Sequence, residues 1–220
     1  MTALSPRDGY RLWAPVYDTE TVVSALDGEV VMQLAVSTSG RRLLDAGCGV
    51  GRRVRATDAS LVVGVDLSDA MLERATGLTA RCVGDVRALP LGVGRFDVVW
   101  CRLVLGHLPE IGLAYAELAR VCAPAGAIIV TDFHPAAAAA GHRRTFRDLG
   151  GTMHEIAHHR HEAQAHVAAA RDAGLDVVRQ LDGVVGESVR PYYEHASRRD
   201  AYDAQVGLPL VLALHLQHSA

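Results

Sequence analysis

The feature that most restricts the fold of this chain is an apolar run that ends in alternating glycines, Leu43-Leu44-Asp45-Ala46-Gly47-Cys48-Gly49-Val50-Gly51. Glycine has no Cβ atom, so a ligand can approach the main chain closely at such a turn. A glycine-rich turn between a buried strand and a helix typically presents the first amide groups of the helix to a ligand. The sequence therefore predicts a strand, a ligand-binding turn and a helix at this point.

The glycine spacing and the position of Asp45 restrict the kind of ligand. A dinucleotide fingerprint has the pattern Gly-x-Gly-x-x-Gly, whereas here the third glycine comes one residue early and Arg52 stands in its place. A Walker loop needs a lysine, and the sequence contains none. A carboxylate directly before the glycines repels a pyrophosphate but attracts an ammonium or sulfonium group. The pattern therefore favours a cationic ligand.

Asp45-x-Gly47-x-Gly49-x-Gly51 resembles the first motif of the class I S-adenosylmethionine-dependent methyltransferases. Further segments resemble the same family in the expected order, within about residues 43 to 132; they are Val62 to Leu72, Gly84 to Pro90 and Phe96 to Pro109. The resemblance implies an α/β fold, a doubly wound, seven-stranded, mostly parallel sheet of the Rossmann-like methyltransferase type. It also implies S-adenosyl-L-methionine as cofactor, and an antiparallel last strand inserted between the fifth strand and strand 175–181.

The hydrophobic pattern agrees with alternating strands and helices. We predict strands at 42–46, 61–66, 80–83, 96–101, 126–132, 175–181 and 210–216, and helices at 21–37, 50–57, 68–75, 110–122 and 162–173. Continuous β-branched runs such as Ile128-Ile129-Val130 indicate strands buried on both faces, as in a parallel sheet covered by helices. The short interval after Gly51 predicts a short first helix, with Arg52, Arg53 and Arg55 on the surface.

A chain of 220 residues is expected to form one domain, 1–220. We divide it into an N-terminal helical lid region (1–40), a cofactor-binding core (41–132), a substrate-side insertion (133–166) and a C-terminal helix and strands (167–220). The first twenty residues carry Tyr10, Trp13 and Tyr17. They are expected either to cover the edge of the sheet or to form a lid over the ligands.

The resemblance also implies a set of cofactor contacts. Asp66 ends the second strand fifteen residues after Gly51, where a carboxylate can accept both ribose hydroxyls. Leu67, Asp85 and Val86 are expected to contact adenine, and the main chain at Cys101 to lie near the methionine amino group. The predicted cofactor-binding residues are Tyr17, Asp45, Gly47, Gly49, Gly51, Asp66, Leu67, Asp85, Val86 and Cys101.

Two histidines are predicted as catalytic bases because each follows a strand at the carboxyl edge, where ligands bind in open α/β sheets. They are His107 and His134. The alternatives are helix packing for His107, since the family often has two adjacent histidines where this chain has Gly106-His107, and loop capping for His134. A cluster of histidines between His154 and His166 could line the pocket or a lid, and we predict no metal site.

The net charge of −3 and the absence of a basic run argue against a nucleic-acid partner. The four cysteines show no Cys-x-x-Cys pairing, no secretory signal is apparent, and the apolar run from Leu208 to Leu216 is too short to span a bilayer. We expect a soluble cytoplasmic protein without a membrane partner, either a monomer or a homodimer.

The predicted function is methyl transfer to the oxygen, nitrogen or carbon of a small organic acceptor, such as a secondary metabolite or a quinone-like ring. Two alternatives stay open. One is an S-adenosylmethionine-binding enzyme of non-methylating chemistry, a cyclisation or rearrangement. The other is a nonenzymatic cofactor-binding partner protein.

Overall fold

The computed structural model describes residues 2–220. Its strands are β1 (Arg42–Ala46), β2 (Leu61–Asp66), β3 (Ala80–Val83), β4 (Phe96–Arg102), β5 (Cys122–Phe133), β6 (Thr145–Arg147), β7 (Met153–Glu155), β8 (Leu175–Val184) and β9 (Pro209–His218). Its α-helices are α1 (Pro6–Trp13), α2 (Val22–Gln33), α3 (Asp69–Glu73), α4 (Gly112–Val121), α5 (Pro135–Ala139), α6 (Ala163–Asp172), α7 (Arg190–His195) and α8 (Arg199–Gln205).

Seven strands form one sheet in the order β3-β2-β1-β4-β5-β9-β8. The first five are parallel, and β9 pairs antiparallel with both β5 and β8. The predicted α/β doubly wound sheet and its inserted antiparallel strand are therefore confirmed.

The sheet is covered on both faces, which explains the continuous apolar strands. Along β5, Ile128, Ile129 and Val130 are almost fully buried although successive side chains point to opposite faces. Residues of α4 and α6, such as Leu118, pack on one face. Residues of α2, α7 and α8, such as Leu26, pack on the other. This arrangement leaves the carboxyl edge of the parallel strands free to form a site.

The segment after the glycines is shorter than predicted. Residues Arg52–Ala56 form a 3₁₀ helix, and Gly51 before it has a left-handed backbone conformation with φ 73°. The surface prediction for Arg53 is wrong, because its side chain is only 11% exposed and is paired with a buried carboxylate.

The N-terminal segment packs against the insertion that follows β5. The insertion contains α5 and the hairpin β6–β7. Leu4 forms a parallel bridge with Ile156, in which its amide donates to the carbonyl of Glu155 at 2.8 Å and its carbonyl accepts from the amide of Ala157 at 2.8 Å. The two segments predicted to cover the ligands are thus joined through their main chains. Among residues 2–220, no helix combines the length and apolarity needed to cross a membrane.

Candidate functional site

A cavity of about 210 Å³ lies at the carboxyl ends of β1, β2, β3 and β4. Its walls include Gly47 and Gly49 after β1, Asp66 and Leu67 at the end of β2, and Val86 after β3. Strand order reverses between β1 and β4, and open α/β sheets bind ligands at such a switch point. The structure therefore brings together residues that the sequence motifs place far apart.

The glycine turn has a shape that other residues would disturb. Gly47 has φ 84°, and a Cβ atom there would overlap the side chain of Val104. Gly51 has φ 73°, and a Cβ atom there would overlap the main-chain carbonyl oxygen of Thr76. Gly47 lines the cavity and Gly51 does not. Gly51 instead allows the turn to pass close to the main chain of Thr76.

Asp66 connects the turn to the second strand. Its carboxylate accepts hydrogen bonds from the amide of Gly49 at 2.8 Å and from the amide of Ser68 at 2.8 Å. Burial raises its pKa above the ordinary value, and the two amides oppose that change. Asp66 thus holds the turn in place and presents a carboxylate to the cavity.

The three residues predicted to contact adenine, Leu67, Asp85 and Val86, all line the cavity. Leu67 is 40% exposed although it is a large apolar side chain, and it faces the cavity together with the buried Val86. Asp85 also lines the cavity, and Arg87 donates to its carboxylate, with Arg87 Nε at 3.0 Å from Asp85 Oδ1. These hydrogen bonds lower the pKa of Asp85. The sequence prediction did not include this ion pair.

Asp45 is a fully buried carboxylate without a hydrogen-bond partner. Its side chain is 0% exposed, and both carboxylate oxygens lack a partner among the described residues. Burial raises its pKa from 3.8 to about 6. It lies on β1 two residues before Gly47, behind the residues that line the cavity. A buried unpaired carboxylate is costly, which is typical of a group whose partner is a ligand.

A second buried acid was not identified from the sequence. Asp27 on α2 is 0% exposed and binds two guanidinium groups, with Arg53 Nε at 2.9 Å and Arg102 Nη2 at 2.8 Å from Oδ2. Thr131 Oγ1 donates to the other oxygen at 2.6 Å. Burial alone would raise the pKa of Asp27, but the two arginines lower it to about 2. Both arginines line the cavity, so this network fixes positive charge at its wall.

Cys101 and Tyr17 occupy different positions relative to the cavity. Cys101 is 0% exposed and its side chain lies in the core, where burial raises the pKa of the thiol. Tyr17 lines the cavity, and its ring lies beside Gly49. Its ring also packs edge-on against Trp13, at 4.9 Å between ring centroids. The N-terminal segment thus forms one wall of the cavity.

His107 lines the cavity but both of its ring nitrogens have partners. Nδ1 lies 3.1 Å from the carbonyl of Ala157, which can only accept, so Nδ1 carries the proton. Nε2 then accepts from the hydroxyl of Tyr10 at 2.9 Å. Tyr10 in turn accepts from Arg144 Nη2 at 3.0 Å. Burial lowers the pKa of His107 to about 3, so the ring is neutral.

His134 is placed away from the cavity lining. Its Nδ1 accepts from the amide of Ala136 at 3.1 Å and so caps α5. Its Nε2 lies 3.7 Å from the carboxylate of Asp182 on β8. This geometry favours the capping alternative, and the catalytic role of His134 stays a prediction.

The histidines of the insertion have different partners. His154 binds Asp148 at 2.7 Å, His161 lies 2.8 Å from the carbonyl of Leu108, and His166 is fully buried beside Tyr115. Within residues 2–220, no three His, Cys, Asp or Glu side chains are grouped to hold a metal ion.

His158 occupies the space left by Gly106. A Cβ atom on Gly106 would overlap the imidazole of His158. The ring of His158 lies edge-on to that of His107, with 5.5 Å between centroids. Gly106 and His158 are far apart in the chain, so no local sequence pattern indicates this contact.

A protein-family model described as a methyltransferase domain matches residues 44–130. Malonyl-[acyl-carrier protein] O-methyltransferase of Erwinia billingiae is 36% identical over 122 residues, which cover 53% of this chain and 48% of the relative. The 27-O-demethylrifamycin SV methyltransferase of Amycolatopsis mediterranei is 30% identical over 177 residues, which cover 73% of this chain and 62% of the relative. The chain thus spans about half to three fifths of the length of these relatives.

A crystal structure of an S-adenosylmethionine-dependent methyltransferase from Mesorhizobium loti has the same fold. The TM-score is 0.67 at 19% identity, and the match covers 90% of this chain and 100% of that chain. The family model ends near the end of β5, so it spans the five parallel strands of the sheet.

Proposed function

Because the chain belongs to the class I S-adenosylmethionine-dependent methyltransferase family, we propose that it transfers a methyl group from S-adenosyl-L-methionine to a small organic acceptor. The observation that carries the proposal is the cavity at the switch point, where Asp66, Leu67 and the glycine turn form one wall. We place the reaction in the reducing cytoplasm, which the four free cysteines support.

The residues present fit the proposed cofactor. Asp66 would accept the ribose hydroxyls, while Leu67 and Val86 would contact the adenine ring. Gly47 and Gly49 would allow the ligand close to the main chain. The remaining members of the proposed site are Asp45, Gly51, Asp85, Tyr17 and the main chain at Cys101.

Asp45 supports a ligand with positive charge. Its unpartnered carboxylate supplies the negative potential that stabilises an ammonium or sulfonium group in the cavity. When bound, S-adenosylmethionine supplies a methyl group activated by its attachment to a sulfonium sulfur. The chain itself would align the acceptor with that methyl group and exclude water, which is the main requirement of an in-line displacement that removes charge.

The N-terminal segment would provide that exclusion. Tyr10 and Tyr17 line the cavity, and Trp13 stacks on Phe146 of the insertion with 4.8 Å between ring centroids. We propose that these aromatic side chains form the lid. His107 would position the lid through Tyr10 in the closed state, and it could act as a base only after Tyr10 has left Nε2.

The proposal is tested by calorimetry of S-adenosylhomocysteine binding to the wild type and to Asp66→Ala. Each charged hydrogen bond contributes about 1.5–3 kcal/mol, so the loss of the ribose contacts should raise Kd more than tenfold. Asp69→Ala is the matched control, because Asp69 is exposed and does not line the cavity. Unchanged affinity in Asp66→Ala, or no binding by the wild type, would contradict the assignment.

Product analysis separates methyl transfer from the non-methylating alternative. Methyl transfer predicts that S-adenosylhomocysteine is released in proportion to a product that has gained one methyl group. A product formed without S-adenosylhomocysteine would support cyclisation or rearrangement, and cofactor binding without turnover of any acceptor would support the nonenzymatic alternative.

A further inference from the structure

A second cavity, of about 100 Å³, lies beside the first and is formed by the insertion. Its lining is rich in basic side chains; these are His142, Arg143, Arg144, His158 and Arg160. Phe133, Ala138 and Glu155 complete the lining. The cavity is not part of the proposed cofactor site, so its charge needs a separate explanation.

The arginines in this lining differ in their partners. Arg143 pairs with Glu155 at 3.1 Å. Arg160 pairs with Glu162 at 3.1 Å. Arg144 has no carboxylate partner among the described residues, and its buried Nε lacks any hydrogen-bond partner. Arg144 is half-buried, so its guanidinium has lost part of its hydration without gaining an opposite charge, which is costly.

The surroundings of Arg144 hold the guanidinium in place without neutralising it. Its Nη2 donates to the neutral hydroxyl of Tyr10 at 3.0 Å. Its guanidinium carbon lies 5.3 Å from the centroid of the Trp13 ring, a cation–π contact. These contacts orient the group and leave its charge available to a ligand.

The second cavity adjoins the cofactor cavity. Tyr10 and His107 line the first cavity. Tyr10 is hydrogen-bonded to Arg144, and His107 contacts His158, and both of these partners line the second. Tyr10 and His107 therefore form the wall between the two cavities, and an acceptor in the second cavity would reach the methyl group by displacing Tyr10, the side chain that also covers Nε2 of His107.

We propose that the second cavity binds the methyl acceptor, that the acceptor carries a carboxylate, and that Arg144 is the residue that binds this carboxylate. The inference rests on the proposed function, since it names the class of acceptor for that reaction. Arg144 would supply charge-assisted hydrogen bonds to the carboxylate, the pairing for which a planar guanidinium is suited. His142 and His158 would be neutral neighbours, because burial lowers the pKa of each.

The test uses benzoate and benzamide, which have nearly the same shape and differ in charge. Each is titrated into the full-length protein saturated with S-adenosylhomocysteine, and imidazole resonances of His142 and His158 are followed by ¹⁵N NMR. We expect benzoate to shift these resonances saturably and to bind at least tenfold more tightly than benzamide.

Two substitutions at position 144 and one control variant test whether Arg144 causes the preference for benzoate over benzamide. Arg144→Gln should abolish the preference for benzoate, whereas Arg144→Lys, which keeps the charge, should retain part of it. Arg147→Gln should leave it unchanged, because Arg147 is exposed on the same hairpin and lines neither cavity. Retained S-adenosylhomocysteine binding shows that each variant is folded.

The outcomes distinguish this inference from the proposed function. If the wild type binds S-adenosylhomocysteine but binds benzoate no better than benzamide, or if Arg144→Gln keeps the preference, the carboxylate assignment is overturned and the methyltransferase proposal stands. If the wild type does not bind S-adenosylhomocysteine, the proposed function itself fails. Absence of benzoate binding to the cofactor-saturated wild type also overturns the inference.

Discussion

Replacement of Asp45 by asparagine should make the ligand-free protein more stable and the cofactor complex weaker. Asparagine has nearly the same shape as aspartate but cannot ionise, so it mimics the neutral form of a side chain that is 0% exposed and has no hydrogen-bond partner. Proteins retain a destabilising buried charge where their function requires that charge.

The magnitude follows from the pKa of Asp45. Burial raises this pKa from 3.8 to about 6, so the folded state retains a proton that the unfolded state releases. The stability that this proton provides is fully present below pH 3.8 and is lost as pH rises through about 6. Since one pKa unit corresponds to 1.36 kcal/mol, Asp45→Asn should gain about 3 kcal/mol at pH 8 and almost nothing at pH 4.

The assay is urea denaturation of the ligand-free wild type and variant at pH 4 and pH 8, followed by calorimetry of S-adenosylmethionine binding at pH 8. The binding constant should weaken at least tenfold in the variant. Equal stability of the two proteins at pH 8, or a gain of the same size at pH 4, would refute the reasoning.

Asp97→Asn is the control. Hydrogen bonds with Arg42 lower the pKa of Asp97, and the Asp97 side chain is 34% exposed. The Asp97→Asn variant should therefore lose less than about 1 kcal/mol of stability.

Two further substitutions test other parts of the site. Asp27→Asn should destabilise the fold by about 3–5 kcal/mol in urea denaturation at pH 7, because the guanidinium groups of Arg53 and Arg102 would lose their buried anion. The pKa of Asp27 is lowered from 3.8 to about 2, so the wild type should lose about 2 kcal/mol of stability as pH falls from about 4 through 2. Gly51→Ala should reduce both thermal stability and S-adenosylhomocysteine affinity, because its Cβ would overlap the carbonyl oxygen of Thr76 and displace the turn.

Gly40→Ala is the control for Gly51→Ala, because it separates the cost of backbone strain from that of steric overlap. Gly40 has a backbone conformation similar to that of Gly51, with φ 66°, but an added Cβ meets no atom within 4 Å. Gly40→Ala should cost only about 1 kcal/mol of backbone strain and leave cofactor affinity unchanged. If Gly51→Ala behaved like Gly40→Ala, or if Asp27→Asn were no less stable than Asp97→Asn, the corresponding assignment would be wrong.

The cofactor half of the site could be predicted because its residues lie at the ends of strands. Asp45 and Asp66 end apolar strands whose pattern is visible in the sequence, and the parallel sheet then brings their loops to one edge. The bounds of β1, β2 and β3 agree with the predicted ones for the same reason. The short helix after Gly51 was predicted from the length of the interval, although its 3₁₀ form was not.

Other parts of the site could not be predicted, because they depend on contacts between segments that are distant in the chain. Asp27 and Thr131 are separated by more than a hundred residues and meet only through the packing of α2 on the sheet. Arg53, one of the two arginines that pair with Asp27, was predicted to lie on the surface. Arg144 is hydrogen-bonded to Tyr10, which is distant in the sequence. The segment that carries Tyr10 is joined to the insertion by the bridge between Leu4 and Ile156.

The inserted strand β9 has a consequence for synthesis on the ribosome. Among the described strands, β8 has β9 as its sole neighbour in the sheet, and β9 also separates β8 from β5. The 34 residues that follow Val184, up to His218, must be made before β9 is complete. At about 5–20 residues per second this takes roughly 2 to 7 s. Until β9 pairs with it, β8 has no neighbour among the described strands of the sheet, and both of its hydrogen-bonding edges stay open to other strands.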